Sequence, residues 1–295
     1  MMGRKARWRR SAMLLFFALL FGLFLFGPVY WMVVTSLMTE REMLSVPPRL
    51  FPAEPTLRNY MIILGIGDAE MLELARNRAP AVFEIRPAMV NSIAIGLCVA
   101  IANIAIATPA AYAFARFRFG YSLSLLMIYL ATRMVPPVML LVPMFLIVRT
   151  LGLVDTPGAL IAAYCIFTVP FSIWILQSYF RSMPADLEDS ALIDGCTRWQ
   201  TVRYVLLPQV VPGLTCVAIL AFMASWSEFL FAMVFGRTTA SRTLPVVAAS
   251  FVDSNSIQFD YVMTAGVVTA LPPFILALVF QRYIVSGLSA GAVKG

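Results

Sequence analysis

"DLEDSALIDGCTRWQTVRYVLLP", residues 186–208, holds four carboxylates, two arginines and an Asp-Gly pair between two apolar segments long enough to cross a membrane. Its local chemistry reads as a helix-glycine-helix hairpin. Pro184 suits a first helical turn, so the first arm runs from Ala185 to Asp194, and Gly195 takes the left-handed conformation that ends it. Thr197 and Gln200 have the spacing of a capping box, in which hydroxyl and amide each satisfy an exposed backbone N–H. A second arm therefore starts at once. On it Trp199, Val202 and Leu206 share one face, Arg198 and Arg203 fall elsewhere, and Pro208 is expected to stop it. Asp194 is expected to accept backbone N–H groups at the start of this arm.

Outward from the hairpin, composition decides the solvent. The 295-residue chain is 61% hydrophobic and 13% charged, against about 25% charged in soluble domains, so most of its surface faces something other than water. A hydrocarbon core of ~30 Å needs roughly 20 residues of helix. Apolar runs of that length fall at 12–37, 88–114, 122–149, 157–180, 209–236 and 261–285. The expectation is an all-α polytopic membrane protein with six transmembrane helices. The run after the basic "MMGRKARWRR" is interrupted from Ala12 to Val34 only by Gly22, Gly27 and Pro28. It is longer than the roughly 7–15 residues of a signal sequence's apolar region and lacks a nearby cleavage site, so it is expected to remain as the first span.

Charge sets the orientation. With both termini cytoplasmic, residues 1–11, the loop 181–208 and the tail 286–295 lie inside, and the long loop 38–87 lies outside. The inner segments then carry an excess of Lys and Arg over Asp and Glu, while the outer ones are nearly balanced, as the positive-inside rule requires. The net charge of +7 thus reflects topology and anionic lipid, with no call for nucleic acid. The five spans from 88 to 285, with the loop 181–208 between them, form the expected transmembrane core.

Several chemistries are excluded. There is no histidine, so His-based metal sites, proton relays and Ser-His or Cys-His catalysis are absent. Cys98, Cys165, Cys196 and Cys216 show no CxxC spacing and read as small packing residues. No phosphate-binding loop occurs, and "GIGDAE" at Gly65 lacks the third glycine of a dinucleotide fingerprint. The chain is expected to hold no metal, no cofactor and no catalytic residue; if ATP is used, another chain binds it.

Why keep so charged an island? A solvated loop resting on the headgroups is one reading, but four carboxylates beside an anionic leaflet are repelled. A basic protein partner suits them better. Here the residues carry a resemblance: "LEDSALIDGCTRWQTVRYVLLPQVVP" is similar to the EAA loop of binding-protein-dependent ABC importer permeases, with Glu188, Ala191, Asp194, Gly195 and Pro208 in register. "FPAEPTLRNY" (51–60), "NS" (91–92), "AAYAFARFRF" (110–119), "SWSEFLFAM" (225–233) and "GLSAGAVKG" (287–295) resemble the carbohydrate branch, near the maltose-type smaller permease subunit. Departures are Asp189, Ser190 and Cys196, all small swaps.

The resemblance implies an ABC type I importer permease fold in a bacterial inner membrane. It also implies a second permease, two ATPase subunits that bind ATP and Mg, and an external solute-binding protein that delivers a sugar, oligosaccharide or polyol. It assigns ATPase coupling to Glu188, Asp189, Ser190, Ala191, Asp194, Gly195, Thr197, Trp199 and Pro208. An amino-acid or peptide permease is the main alternative, and a secondary transporter or a membrane enzyme finds less support. Arg133, beside Pro136-Pro137, and Glu228 fall inside apolar runs, where an unpaired charge costs at least ~2.5 kcal/mol. Each is expected to face a partner or a translocation cavity. Trp226 stacks on a sugar ring or packs in the bundle, and the double proline is expected to bend its span.

Overall fold

In the computed structural model, residues 4–117, 120–252 and 258–292 are described, and they are helical with no β-strand. The nine principal helices are α1 (Arg4–Ser36), α2 (Ile85–Arg116), α3 (Ser122–Ala131), α4 (Pro137–Thr150), α5 (Pro157–Ser182), α6 (Asp186–Ile193), α7 (Arg198–Trp226), α8 (Leu230–Phe235) and α9 (Phe259–Ala292). Five segments are long and apolar enough to cross a membrane. They become six when α3 and α4, bent by 95° at the break before Pro137, count as one span. The bend is the expected effect of Pro136-Pro137: neither residue has an N–H to continue a helix, and Val135 is already extended (ψ 121).

Several predicted boundaries move. α1 and α9 extend beyond the runs 12–37 and 261–285, so the stretch 286–292 continues a helix; residues 1–3 and 293–295 lie outside the described residues. The loop 38–87 contains helices at Glu40–Met43, Arg58–Leu64 and Ala69–Arg78 and a 3-10 turn at Pro80–Glu84.

The largest correction concerns 209–236. The span runs from Arg198 to Trp226, and Pro208 does not stop it. Residues Thr201–Leu206 form a π-helical stretch. The wider turn accommodates a ring that would clash with the carbonyl four residues back in an α-helix, and the absent N–H of Pro208 is lost at a place where the ladder is already shifted.

The chain divides into two compact units. One comprises residues 1–85 and 248–270. In it Arg78 makes a bidentate pair with the buried Asp260 (2.9 and 3.1 Å), a second ion pair to Glu40 (2.8 Å), and lies over the Tyr261 ring. Most of α1 is exposed, Leu23 and Phe24 by about three quarters, so its apolar surface requires lipid or another chain.

The other unit comprises residues 86–247 and 271–295. α5 runs through its middle, burying Leu160, Tyr164, Leu176 and Phe180. Thr156 caps it and Pro157 occupies its first turn. Small residues let the helices approach: a Cβ on Gly213 of α7 would meet the Tyr179 ring of α5 at 2.7 Å. One buried polar cluster crosses this core. Asn103 of α2 donates to the Thr168 hydroxyl of α5 and accepts from Ser172 (2.8 Å each). With few competing partners in an apolar interior, such a network fixes the register of two otherwise greasy helices.

Candidate functional site

The hairpin forms as its local chemistry dictates. α6 begins with Asp186, Glu188 and Asp189 in its first turn, where carboxylates favour the helix dipole. Gly195 has φ +86°, its N–H reaches the carbonyl of Leu192, and the N–H of Cys196 reaches that of Ala191. These are the two bonds of a Schellman turn. Thr197 and Gln200 then complete the capping box, at 2.7 Å from the Thr197 N–H to the Gln200 amide oxygen and 3.3 Å in return. Asp194 is the C-cap of α6, and the start of α7 is capped by the Thr197 hydroxyl in the role expected of the Asp194 carboxylate. The Ser190 hydroxyl donates back to the Asp186 carbonyl.

What the hairpin presents differs from expectation. Glu188 is engaged within the chain: one carboxylate oxygen accepts from Arg116 Nε and the other from the Tyr112 hydroxyl (3.2 Å), both on α2. Ala191, Val202 and Leu206 are buried, whereas Trp199 is 65% and Ile193 86% exposed. The predicted Trp199-Val202-Leu206 stripe is thus split. Val202 and Leu206 join the core, and the exposed tip combines Ile193 and Trp199 with the carboxylates of Asp189 and Asp194. Ile193, Tyr112 and Arg116 were not singled out from the sequence. The one available signal was the i, i+4 spacing of Tyr112 and Arg116, which puts both on one face of a helix end.

Arg133 and Glu228 do come together, lining one cavity of about 190 Å³ with Pro137, Tyr164, Phe167, Thr168, Ala224 and Phe231. Glu228 lies in the break between α7 and α8, and its carboxylate accepts the exposed N–H groups of Phe231 (3.0 Å) and Ala232 (3.2 Å) at the start of α8. Backbone dipoles thereby replace water around the charge. The Arg133 guanidinium lies 4.8 Å from the centre of the Phe171 ring, within cation–π range. Among the described residues no carboxylate lies in salt-bridge range of Arg133. The Tyr164 hydroxyl is within electrostatic reach of Glu228 but completes no hydrogen bond to it. Of the two readings of Trp226, the structure shows bundle packing: it is 1% exposed and stacks on Phe222 (5.7 Å), so it offers no face to a ligand.

A third cluster lies in the loops flanking α4, α5 and α8. Asp155, the one non-glycine residue with positive φ (63°) among those described, accepts from the backbone N–H groups of Arg237 (2.8 Å) and Thr238 (2.9 Å) and from the hydroxyls of Thr238 and Ser241. Burial alone would raise its carboxyl pKa, but these four donors outweigh it and hold the group well below the usual carboxylate range. The Asn-Ser pair at 91–92 acts on the same loop, Asn91 donating to the carbonyls of Thr239 and Arg242 and Ser92 accepting from Leu244.

A multi-span helical core, a cavity lined by Arg133 and Glu228 at broken helices and a charged hairpin built on the end of a span suit a membrane transport subunit. Residues 103–290 match the family described as the inner membrane component of binding-protein-dependent transport systems, and the chain belongs to that family: it is a permease of a binding-protein-dependent ABC importer, a multi-pass protein of the inner membrane. It is 35% identical to the trehalose/maltose transport system permease protein MalG of Thermococcus litoralis, over 97% of this chain and 98% of that one. It is 36% identical to the sulfoquinovosyl glycerol permease SmoH of Agrobacterium fabrum (91% and 88%) and 34% identical to the trehalose permease SugB of Mycobacterium tuberculosis (91% and 92%). The fold is shared with a chain of a bacterial ABC transporter that imports the acidic polysaccharide alginate, at 20% identity and a TM-score of 0.77, covering 96% of this chain and 99% of the other.

Proposed function

We propose that the imported solute is a sugar, oligosaccharide or polyol, passed by an external solute-binding protein to a pathway formed with a second permease and driven by two ATPase subunits that hold ATP and Mg. The observation that carries this reading is the cavity at Arg133 and Glu228. It combines the Arg133 cation and the Glu228 carboxylate with the half-buried Phe167 ring, which together supply donors and acceptors for hydroxyl groups and an apolar face for a sugar ring. At about 190 Å³ it is smaller than the roughly 300–1,000 Å³ of complete ligand pockets, so it receives one end of a solute. The relatives named for trehalose, maltose and sulfoquinovosyl glycerol support the same class.

The hairpin tip serves as the docking plug for an ATPase subunit. Ile193 and Trp199 enter an apolar cleft, and Asp189 and Asp194 meet its basic rim, while Gly195 and Thr197 hold the shape. Both termini face the cytoplasm, so a reporter active only outside the membrane works when fused near Arg58 or Asp155 and fails near Glu188. The deciding experiment screens the cognate binding protein against sugars, polyols, amino acids and peptides by thermal shift, then measures uptake of the hits into proteoliposomes holding the whole complex. Uptake of an amino acid or peptide, with no sugar transported, overturns the reading.

A further inference from the structure

α6 has little apolar hold on the protein. Ala191 is its buried residue, Leu187 is half-buried, and the rest of its surface is polar or turned outward. Its attachment is instead polar and concentrated at Glu188. Arg116 Nε and the Tyr112 hydroxyl occupy the two carboxylate oxygens, and Arg116 Nη2 also donates to the Met183 carbonyl (3.2 Å) just before the hairpin. The Arg116 and Glu188 side chains are each only about 15% exposed, so water screens the pair weakly. Around them, Gln177 and Arg181 of α5 donate to the Phe114 carbonyl at 3.2 and 3.5 Å, and Tyr112 packs edge-on against Phe180. The same α2 carries Asn103, bonded to Thr168, and Thr168 lines the cavity of Arg133 and Glu228.

We infer that Arg116 and Tyr112 are positioning residues that clamp the hairpin to α2 through Glu188, so that a force on the hairpin is delivered to the helix whose Asn103 contacts the wall of the candidate solute cavity. The inference rests on the coupling role proposed above. It departs from the simpler idea that every hairpin carboxylate serves the ATPase: Glu188 faces inward and acts within this chain, leaving the exposed tip for docking.

The test uses the assembled transporter in lipid nanodiscs and in proteoliposomes, with ATPase subunits and loaded binding protein. Variants are Arg116→Gln, Glu188→Gln, their double, and Tyr112→Phe, which removes one hydrogen bond and keeps the ring. In Arg116→Gln and Glu188→Gln the ATPase subunits stay bound and hydrolyse ATP, sugar taken up per ATP falls about tenfold, and amides 186–195 exchange hydrogen faster. The double loses no more than the worse single, and Tyr112→Phe shifts the ratio in the same direction by a smaller factor. A merely structural role would lower yield, hydrolysis and uptake together and leave the ratio unchanged. The clamp is overturned by wild-type uptake per ATP in Arg116→Gln, by additive losses in the double, or by ATPase release in Glu188→Gln alone. If Arg116→Gln or Glu188→Gln does not assemble, an unchanged ratio and unchanged exchange in Tyr112→Phe overturns it. Should the importer reading itself fail, the wild-type complex shows no solute-linked ATP turnover, whereas the exchange measurement still reads the clamp.

Discussion

Replacing Gly195 isolates the shape of the plug from its chemistry. At φ +86° the residue lies in the left-handed region, and a Cβ built there meets no atom within 4 Å. The penalty for a side chain is therefore conformational, with no steric part: about 1–2 kcal/mol for a residue with a Cβ, larger for a β-branched one and smaller for asparagine, which tolerates this region. Escape from the strain means opening the turn, which forfeits the bonds from the Gly195 and Cys196 N–H groups to Leu192 and Ala191, each worth about 0.5–1.5 kcal/mol. The native turn and its alternatives thus shift by about 5- to 30-fold, and the error lies outside the membrane core. Binding of ATPase subunits to the purified permease pair, and uptake by the full complex, should fall in the order Gly, Asn, Ala, Val, while the amount of permease in the membrane stays constant. Equal binding and uptake in Gly195→Asn and Gly195→Val would refute the reasoning, because the two differ mainly in tolerance for positive φ.

Asp155→Asn should lower thermal stability in detergent by about 1–3 kcal/mol, since a neutral amide cannot accept all four donors that the carboxylate satisfies. The sign of the pH effect follows from its depressed pKa: the contribution is present above the unfolded value of about 3.9 and is lost as pH falls below it toward the folded value. Melting curves of wild type and Asp155→Asn should converge only in that acid window, and a constant gap down to pH 2 contradicts the assignment. Glu228→Gln keeps an acceptor for the Phe231 N–H, so complex yield should match wild type while uptake drops about tenfold; wild-type uptake from an assembled complex removes Glu228 from the path.

Local chemistry was enough for the helical membrane class, the hairpin and the bend at Pro136-Pro137, because each depends on residues within one or two turns of each other. Apolar runs, a capping box at Thr197 and Gln200, a glycine at the end of α6 and two adjacent prolines act where they stand in the chain. Packing decided the rest. Glu188 finds Arg116, 72 positions away; Arg133 and Glu228 meet across a cavity; and Asp155 is held by a loop more than 80 positions on. No local pattern encodes such pairs, since which donor meets which acceptor depends on how the helices dock. Pro208 was misread, and the two readings of Trp226 stayed open, for the same reason. A helix rule cannot anticipate a π-helical stretch that lets Pro208 pass, nor can an apolar run show that Trp226 lies under Phe222, because both outcomes are set by neighbours that only the folded bundle brings into contact.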